Sequence, residues 1–431
     1  MNVLTLSIVA VLLLALLETP FFTLIGGLSI ICLYAVDQDL LALQTILIEM
    51  NRLASMPVLV ALPLFTFVGC LLTATGAPGR ITNFMQAILG WLPGGLAIAA
   101  LCSCAFFTAL TGASGVTIVA LGSVLYPVLR QRAYNDKFTL GLLTTGGSRG
   151  LLFPPSLPII LYGVVAQIDI SRIFKAALVP GVLSIIVISL YAMGHQLLTE
   201  KPAGRERDEN RMSWSRIAQT TRAAAWDLPI VLIIVMGVYG GFVTIAEVSA
   251  IVLVYVLIIA CFVLKEVNFF RQVPGIVIES ALLSGAIIII LGFSMGFTGY
   301  LVDEQIPNRI LVFLTRLTDN KLLFLAGLNL FLLIVGCIMD IFSAIIIVVP
   351  IMAPIALTYG VDPFHLCIIF LVNLEIGYST PPIGMNLFIA SLKFEKPVTV
   401  LYRAAIPYLV LMILVMILIT YVPAVSLFTI Q

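Results

Sequence analysis

The sequence predicts an all-α polytopic membrane protein made of two inverted repeats, each with five spans and one re-entrant hairpin. Three observations predict it. Of the 431 residues, 61% are apolar and only 10% are Asp, Glu, Lys or Arg, against about a quarter charged in an ordinary soluble domain. The apolar runs are far longer than the ~10-residue alternating strands of a membrane barrel, so the spans are helices. Finally, the second half restates the first. Pro154-Pro155 recurs as Pro381-Pro382 at an offset of 227, and the same offset relates Gly69 to Gly296, Pro127 to Pro354, Gly150 to Gly377 and Pro180 to Pro407. A net charge of +1 without a basic stripe excludes a nucleic-acid binder.

The first repeat covers residues 1–198. Spans are expected at 3–17, 21–36 and 57–75, then a hairpin at 96–129, a broken helix at 138–164 and a span at 176–197. No Lys or Arg precedes the run Val3 to Leu17, which argues against a cleaved signal peptide. Residues 38–52 alternate apolar and polar groups at helical spacing and are expected along the membrane face. The hairpin follows from the interruption Thr111-Gly-Ala-Ser-Gly115. A limb of 96–110 is only ~22 Å long at 1.5 Å per residue, short of a ~30 Å hydrocarbon core, so the chain turns back.

A polar cytoplasmic linker is expected at 199–226, and the second repeat at 227–431. That repeat reads as spans at 228–244, 248–264 and 275–300, a hairpin at 322–357, a broken helix at 365–391 and a span at 404–423. Five spans per half invert the second half relative to the first. Basic residues orient the chain, because cytoplasmic loops are enriched in them. This topology places 15 of the 22 Lys and Arg inside, 6 outside and Arg149 within a span. Both termini then face outward. The seven cysteines all lie in or beside apolar runs and are read as free thiols; Cys102 and Cys104 lack companion ligands at zinc spacing.

The candidate site comes from the breaks. Pro154, Pro155 and Pro158 follow Gly146, Gly147 and Gly150, and the second copy reads Gly377-Tyr-Ser-Thr-Pro-Pro-Ile-Gly-Met-Asn386. Prolines remove amide donors and end the helix. Unwound backbone at membrane depth is tolerated where it lines a protein cavity, and there carbonyls can hold a cation and half-helix N-termini an anion. The hairpin tips add small oxygens: Thr111, Gly112, Ser114, Gly115 and Thr117 in the first, and Gly336, Asp340 and Ser343 in the second. Hydroxyls and carbonyls with a single carboxylate suit a monovalent cation such as Na⁺ rather than a tight divalent site. Asp340 is read as coupling a cation or proton, or as tying down the tip, because an ionisable group at membrane depth is costly.

These motifs resemble a known family. Gly146-Gly-Ser-Arg-Gly-Leu-Leu-Phe-Pro-Pro-Ser-Leu-Pro158 and Asn373-Leu-Glu-Ile-Gly-Tyr-Ser-Thr-Pro-Pro-Ile-Gly-Met-Asn-Leu-Phe388 resemble the two signatures of the large membrane subunit of tripartite ATP-independent periplasmic (TRAP) transporters. The resemblance implies Na⁺-driven uptake of a small organic anion (a C4-dicarboxylate, sialic acid or similar carboxylate or sulfonate) across the bacterial inner membrane. It implies a periplasmic substrate-binding protein, a small four-helix membrane subunit, contact with membrane lipid, and an elevator in which hairpins and broken helices move against a scaffold. Two departures stand out: Ala113 and Gly115 replace serine in the first tip, and Arg149 stands at a usually apolar position.

Tips and breaks together nominate Gly112, Ser114, Thr117, Gly150, Pro154, Gly336, Asp340, Thr380 and Met385 for Na⁺, and Arg149, Ser156, Ser343 and Asn386 for the solute. Besides solute contact, Arg149 has two other readings: a pair with Glu375, or snorkelling to the cytoplasmic interface. No other cofactor is expected. Gly146-Gly-Ser148-Arg-Gly150 matches a nucleophile-elbow pattern, but a strand must precede an elbow and the two histidines, His195 and His365, fall at span ends, so an enzyme is not expected. The alternative is a stand-alone ion-coupled organic-anion symporter or antiporter of related architecture.

Overall fold

The computed structural model describes residues 21–37, 44–132, 134–199, 214–240 and 243–430. The span expected at 3–17, the start of the interfacial segment and half of the polar linker lie outside them. All regular structure among the described residues is helical.

The first half runs α1 (Phe21–Asp37), α2 (Gln44–Ala54), α3 (Ala61–Thr73), α4 (Ala77–Leu89), α5 (Gly95–Thr111), α6 (Ser114–Gln131), α7 (Asp136–Gly146), α8 (Leu157–Ala166) and α9 (Ile170–Thr199). Next comes α10 (Trp214–Ala223), a helix inside the stretch expected to be a linker, which packs on α4. The second half runs α11 (Leu228–Gly240), α12 (Ile245–Ile258), α13 (Val273–Asp303), α14 (Ile306–Leu317), α15 (Lys321–Ile338), α16 (Ile341–Thr358), α17 (Pro363–Gly377), α18 (Met385–Phe394) and α19 (Val398–Tyr421). Among the described residues, six helices are long and apolar enough to cross a membrane alone, and three bent pairs pass the same test together.

The elements recur in the same order near the 227-residue offset, and one difference between the halves is informative. α5 and α6 correspond to α15 and α16, and α7 and α8 to α17 and α18. However, α2 and the segment Pro57–Thr73 meet at a 70° bend, whereas the matching α13 runs unbroken. Pro57 cannot donate to the preceding turn and clashes with it; its counterpart is Ser284, which does neither. The short helix α4 is absent from the sequence reading. It begins on Ala77-Pro78 and buries Ala77, Ile81, Thr82 and Ala87 on one face, while its polar residues hide it from a search for long apolar runs.

The two halves are interleaved. α16 of the second half packs on α8 of the first, and α18 packs on α6. Likewise α7 lies against α19, and α17 against α9. The hairpins and broken helices therefore form one body. Around it, α13 contacts α1, α2 and α3, and α12 contacts α3. Large apolar side chains such as Leu282, Phe313, Leu330 and Leu414 remain mostly exposed, as a surface solvated by lipid requires.

Loops assigned to one side by the basic residues touch one another. Arg80 joins Asp227 (2.6 Å) and Glu266, and Asp136 lies near both Arg130 (3.5 Å) and Lys396 (3.8 Å). In the opposite group, Lys321 donates to the Gly360 carbonyl, the Arg172 guanidinium lies 4.5 Å from the Phe364 ring centroid, and Thr429 donates to the Lys175 carbonyl (2.6 Å).

Candidate transport site

The first break begins where α7 ends at Gly146. A single 3-10 turn, Arg149–Leu152, leads to extended Phe153 and the proline pair before α8 starts at Leu157. The two arms meet at 46°. Gly150 lets this turn lie directly on α5: a Cβ there would sit 2.1 Å from the Ala105 carbonyl oxygen. The counterpart Gly377 lies on the second hairpin, where a Cβ would come within 2.6 Å of the Gly336 carbonyl carbon. Each break is thus pressed against the first limb of the hairpin in its own half.

The second break wraps the second tip. Gly384, with φ +42°, donates its N–H to the Cys337 carbonyl at 3.1 Å, and the Cys337 thiol donates to the Thr380 carbonyl at 3.2 Å. Asn386 N–H donates to the Tyr378 carbonyl at 3.0 Å, and the Thr380 hydroxyl donates to the Ile376 carbonyl at 2.8 Å. Asp340 caps α16: one carboxylate oxygen accepts from Phe342 N–H (3.0 Å) and Ser343 N–H (3.1 Å), and the Ser343 hydroxyl donates to the other. Asp340 therefore ties down its tip, and it also lines the cavity described below.

The first tip turns on Gly112, whose φ of +66° favours glycine. Ser114 donates to Asn386 Oδ1 at 2.7 Å, so the first tip is joined to the second broken helix. Thr108 donates to the Gly147 carbonyl at 2.6 Å, and its oxygen lies 2.8 Å from that of the fully buried Thr117.

Both tips and both breaks meet at one cavity of about 790 Å³. Of the nominated residues, Gly112, Ser114, Asp340 and Met385 line it. Thr117, Gly150, Gly336, Thr380, Ser343 and Asn386 stand behind this wall in the contacts just described. Ser156 is buried at the start of α8, and its hydroxyl has no hydrogen-bond partner among the described residues. Pro154 lines a separate apolar cavity of about 240 Å³ between α5, α9 and α11. Among the described residues, no three His, Cys, Asp or Glu side chains converge in a metal-binding group.

Arg149 is 1% exposed and lies 3.4 Å from a Glu375 oxygen, itself 0% exposed, so the structure realises the pairing alternative for this arginine. Its Nε also donates to the Thr145 carbonyl and one Nη to the Ser148 hydroxyl, both at 3.1 Å. Sequence reasoning missed five polar lining residues: Thr73, Ser123, Glu279, Tyr378 and Lys393. Only Glu279 carried a signal, being a carboxylate inside an expected span. Lys393 read as an ordinary loop cation.

Comparison with known proteins now decides the family. Residues 7–425 match the family described as the tripartite ATP-independent periplasmic transporter, DctM component. The chain belongs to this family. The C4-dicarboxylate TRAP transporter large permease protein of Pseudomonas aeruginosa is 34% identical over 94% of this chain and 92% of its own length. An ectoine/5-hydroxyectoine TRAP large permease from Ruegeria pomeroyi is 30% identical over 86% of this chain and 85% of its own. An isethionate TRAP permease from Oleidesulfovibrio alaskensis is 34% identical over 88% of this chain, which spans 59% of that protein. The crystal structure of the Alcanivorax borkumensis YdaH transporter has a TM-score of 0.61 with 14% identity, covering 89% of each chain, and shares the fold. This TRAP-family chain is therefore a membrane transport protein.

Proposed function

We propose that the chain is the large permease subunit of a Na⁺-coupled, binding-protein-dependent transporter that imports a small organic anion. The observation that carries the reading is the meeting of two hairpin tips and two broken helices at one cavity. The tips and breaks bring hydroxyls, carbonyls and the Asp340 carboxylate to this cavity, which Glu279 of α13 also lines, and such a mostly neutral oxygen set suits a weakly held monovalent cation. Hairpins and broken helices interleave across the halves, which supports their moving as one body in an elevator against the peripheral helices. The named substrates of the relatives, a C4-dicarboxylate, ectoine and isethionate, share an acidic group and supply the solute class of small organic acids. The partners of this reading are a periplasmic binding protein and a small membrane subunit in the inner membrane, with both termini outside.

The test is uptake into proteoliposomes carrying the permease, its small subunit and candidate binding proteins. Uptake should require an inward Na⁺ gradient and collapse when K⁺ replaces Na⁺. Indifference to that replacement overturns the coupling, and full uptake without any binding protein converts the reading to a stand-alone symporter.

A further inference from the structure

The cavity is lined by three charged residues: Asp340 from the second tip, Glu279 from α13, and Lys393 near the end of α18. They are not equivalent. Both oxygens of Asp340 are engaged, capping α16 and accepting from Ser343. Glu279 and Lys393 make no ion pair with any described residue. The stem of Lys393 runs beside Gly122 of α6: a Cβ on Gly122 would lie 3.8 Å from Lys393 Cγ. Its neighbour on that helix, Ser123, lines the same cavity. The stem thus runs along the cavity wall, and its ammonium has no hydrogen-bond or ion-pair partner among the described residues.

From this charge count we infer that the cavity accepts a solute with a single acidic group, that Lys393 receives that group, and that Glu279 turns away a second. The inference rests on the transport reading above and narrows its substrate class. The lining offers one cation against two carboxylates, so a carboxylate or sulfonate can be matched once. A second acidic group on the same solute would face Glu279 without a basic partner, because both Asp340 oxygens are already engaged at the tip. Two like charges about 10 Å apart at an effective dielectric near 20 lower affinity roughly tenfold. A monoacid, or an acid whose other end is neutral or cationic, escapes that cost. The rival account is that Lys393 only complements the C-terminal dipole of α18, and it predicts no effect on solute discrimination.

The test uses the full chain carrying a Ser123→Cys substitution, with the protein lacking that cysteine as background. Modification by a methanethiosulfonate is timed with isethionate or succinate present as probes of one and two acidic groups. Isethionate should slow modification, and succinate should need about a tenfold higher concentration for the same effect. Lys393→Gln should abolish protection by both, Lys393→Arg should retain it, and Glu279→Gln should bring succinate level with isethionate. Equal protection by the two anions before any charge is removed, protection that survives Lys393→Gln, or no protection at all overturns the inference. Na⁺-driven uptake of the same anions separates the two levels. A chain that carries an organic anion in the reconstituted assay but fails the labelling pattern loses only the Lys393 and Glu279 assignment, whereas a chain that carries none with any candidate binding protein loses the transport reading and this inference with it.

Discussion

Glu375→Gln should destabilise this protein far more than an isosteric change usually does. Glu375 and Arg149 are 0% and 1% exposed and lie 3.4 Å apart, and they join the second broken helix to the turn of the first. Removing the carboxylate's charge leaves a guanidinium that stays protonated at any physiological pH, held only by the Thr145 carbonyl and the Ser148 hydroxyl. Stranding one member of a buried pair costs about 3–5 kcal/mol. The pair itself is imperfectly satisfied: one Arg149 nitrogen and both Glu375 oxygens have no hydrogen-bond partner among the described residues. Replacing both members by apolar groups of similar volume is therefore expected to be neutral, or stabilising by about 1–4 kcal/mol. The assay is unfolding of purified protein for Arg149→Met, Glu375→Gln, Glu375→Leu and the Arg149→Met/Glu375→Leu double variant. Both single leucine and methionine variants should fall well below the parent, and the double variant should return to it. A harmless Glu375→Gln, or a double variant as damaged as its two singles combined, refutes the ionised-pair reasoning. Uptake per folded molecule is read alongside. If the double variant folds like the parent yet loses affinity for the solute with unchanged Na⁺ dependence, Arg149 serves the solute as well as Glu375.

Asp340→Asn should leave stability within about 1 kcal/mol of the parent, since asparagine caps helices nearly as well as aspartate, while weakening the Na⁺ dependence of uptake; normal uptake with normal Na⁺ dependence would reduce Asp340 to its capping role. Gly377→Ala should cost about 1–3 kcal/mol by overpacking, because its Cβ would come within 2.6 Å of the Gly336 carbonyl carbon. Gly327→Ala has open space and serves as the unfolding control. Single cysteines at Asp169 and Gly360 should react with an impermeant reagent from outside and those at Asp136 and Lys265 only after permeabilisation, and the reverse pattern would invert the proposed topology.

What the sequence determines by itself is local. Proline and glycine act on their own turn, so both breaks, the Gly112 turn of the first hairpin and the difference between Pro57 and Ser284 are written where they act, and Asp340 caps the helix that follows the second turn. Long apolar runs announce helices, whereas the short, partly polar α4 needs its buried face to be seen before it can be recognised. The cavity is another matter. Ser114 meets Asn386 across 272 residues, Arg149 meets Glu375 across the two breaks, and Glu279 and Lys393 come to line one cavity from different helices. Helical periodicity records only whether a face is apolar. Which polar group that face meets depends on how α6 packs on α18 and α8 on α16, and side-chain shape at those crossings settles it only once both halves have folded together.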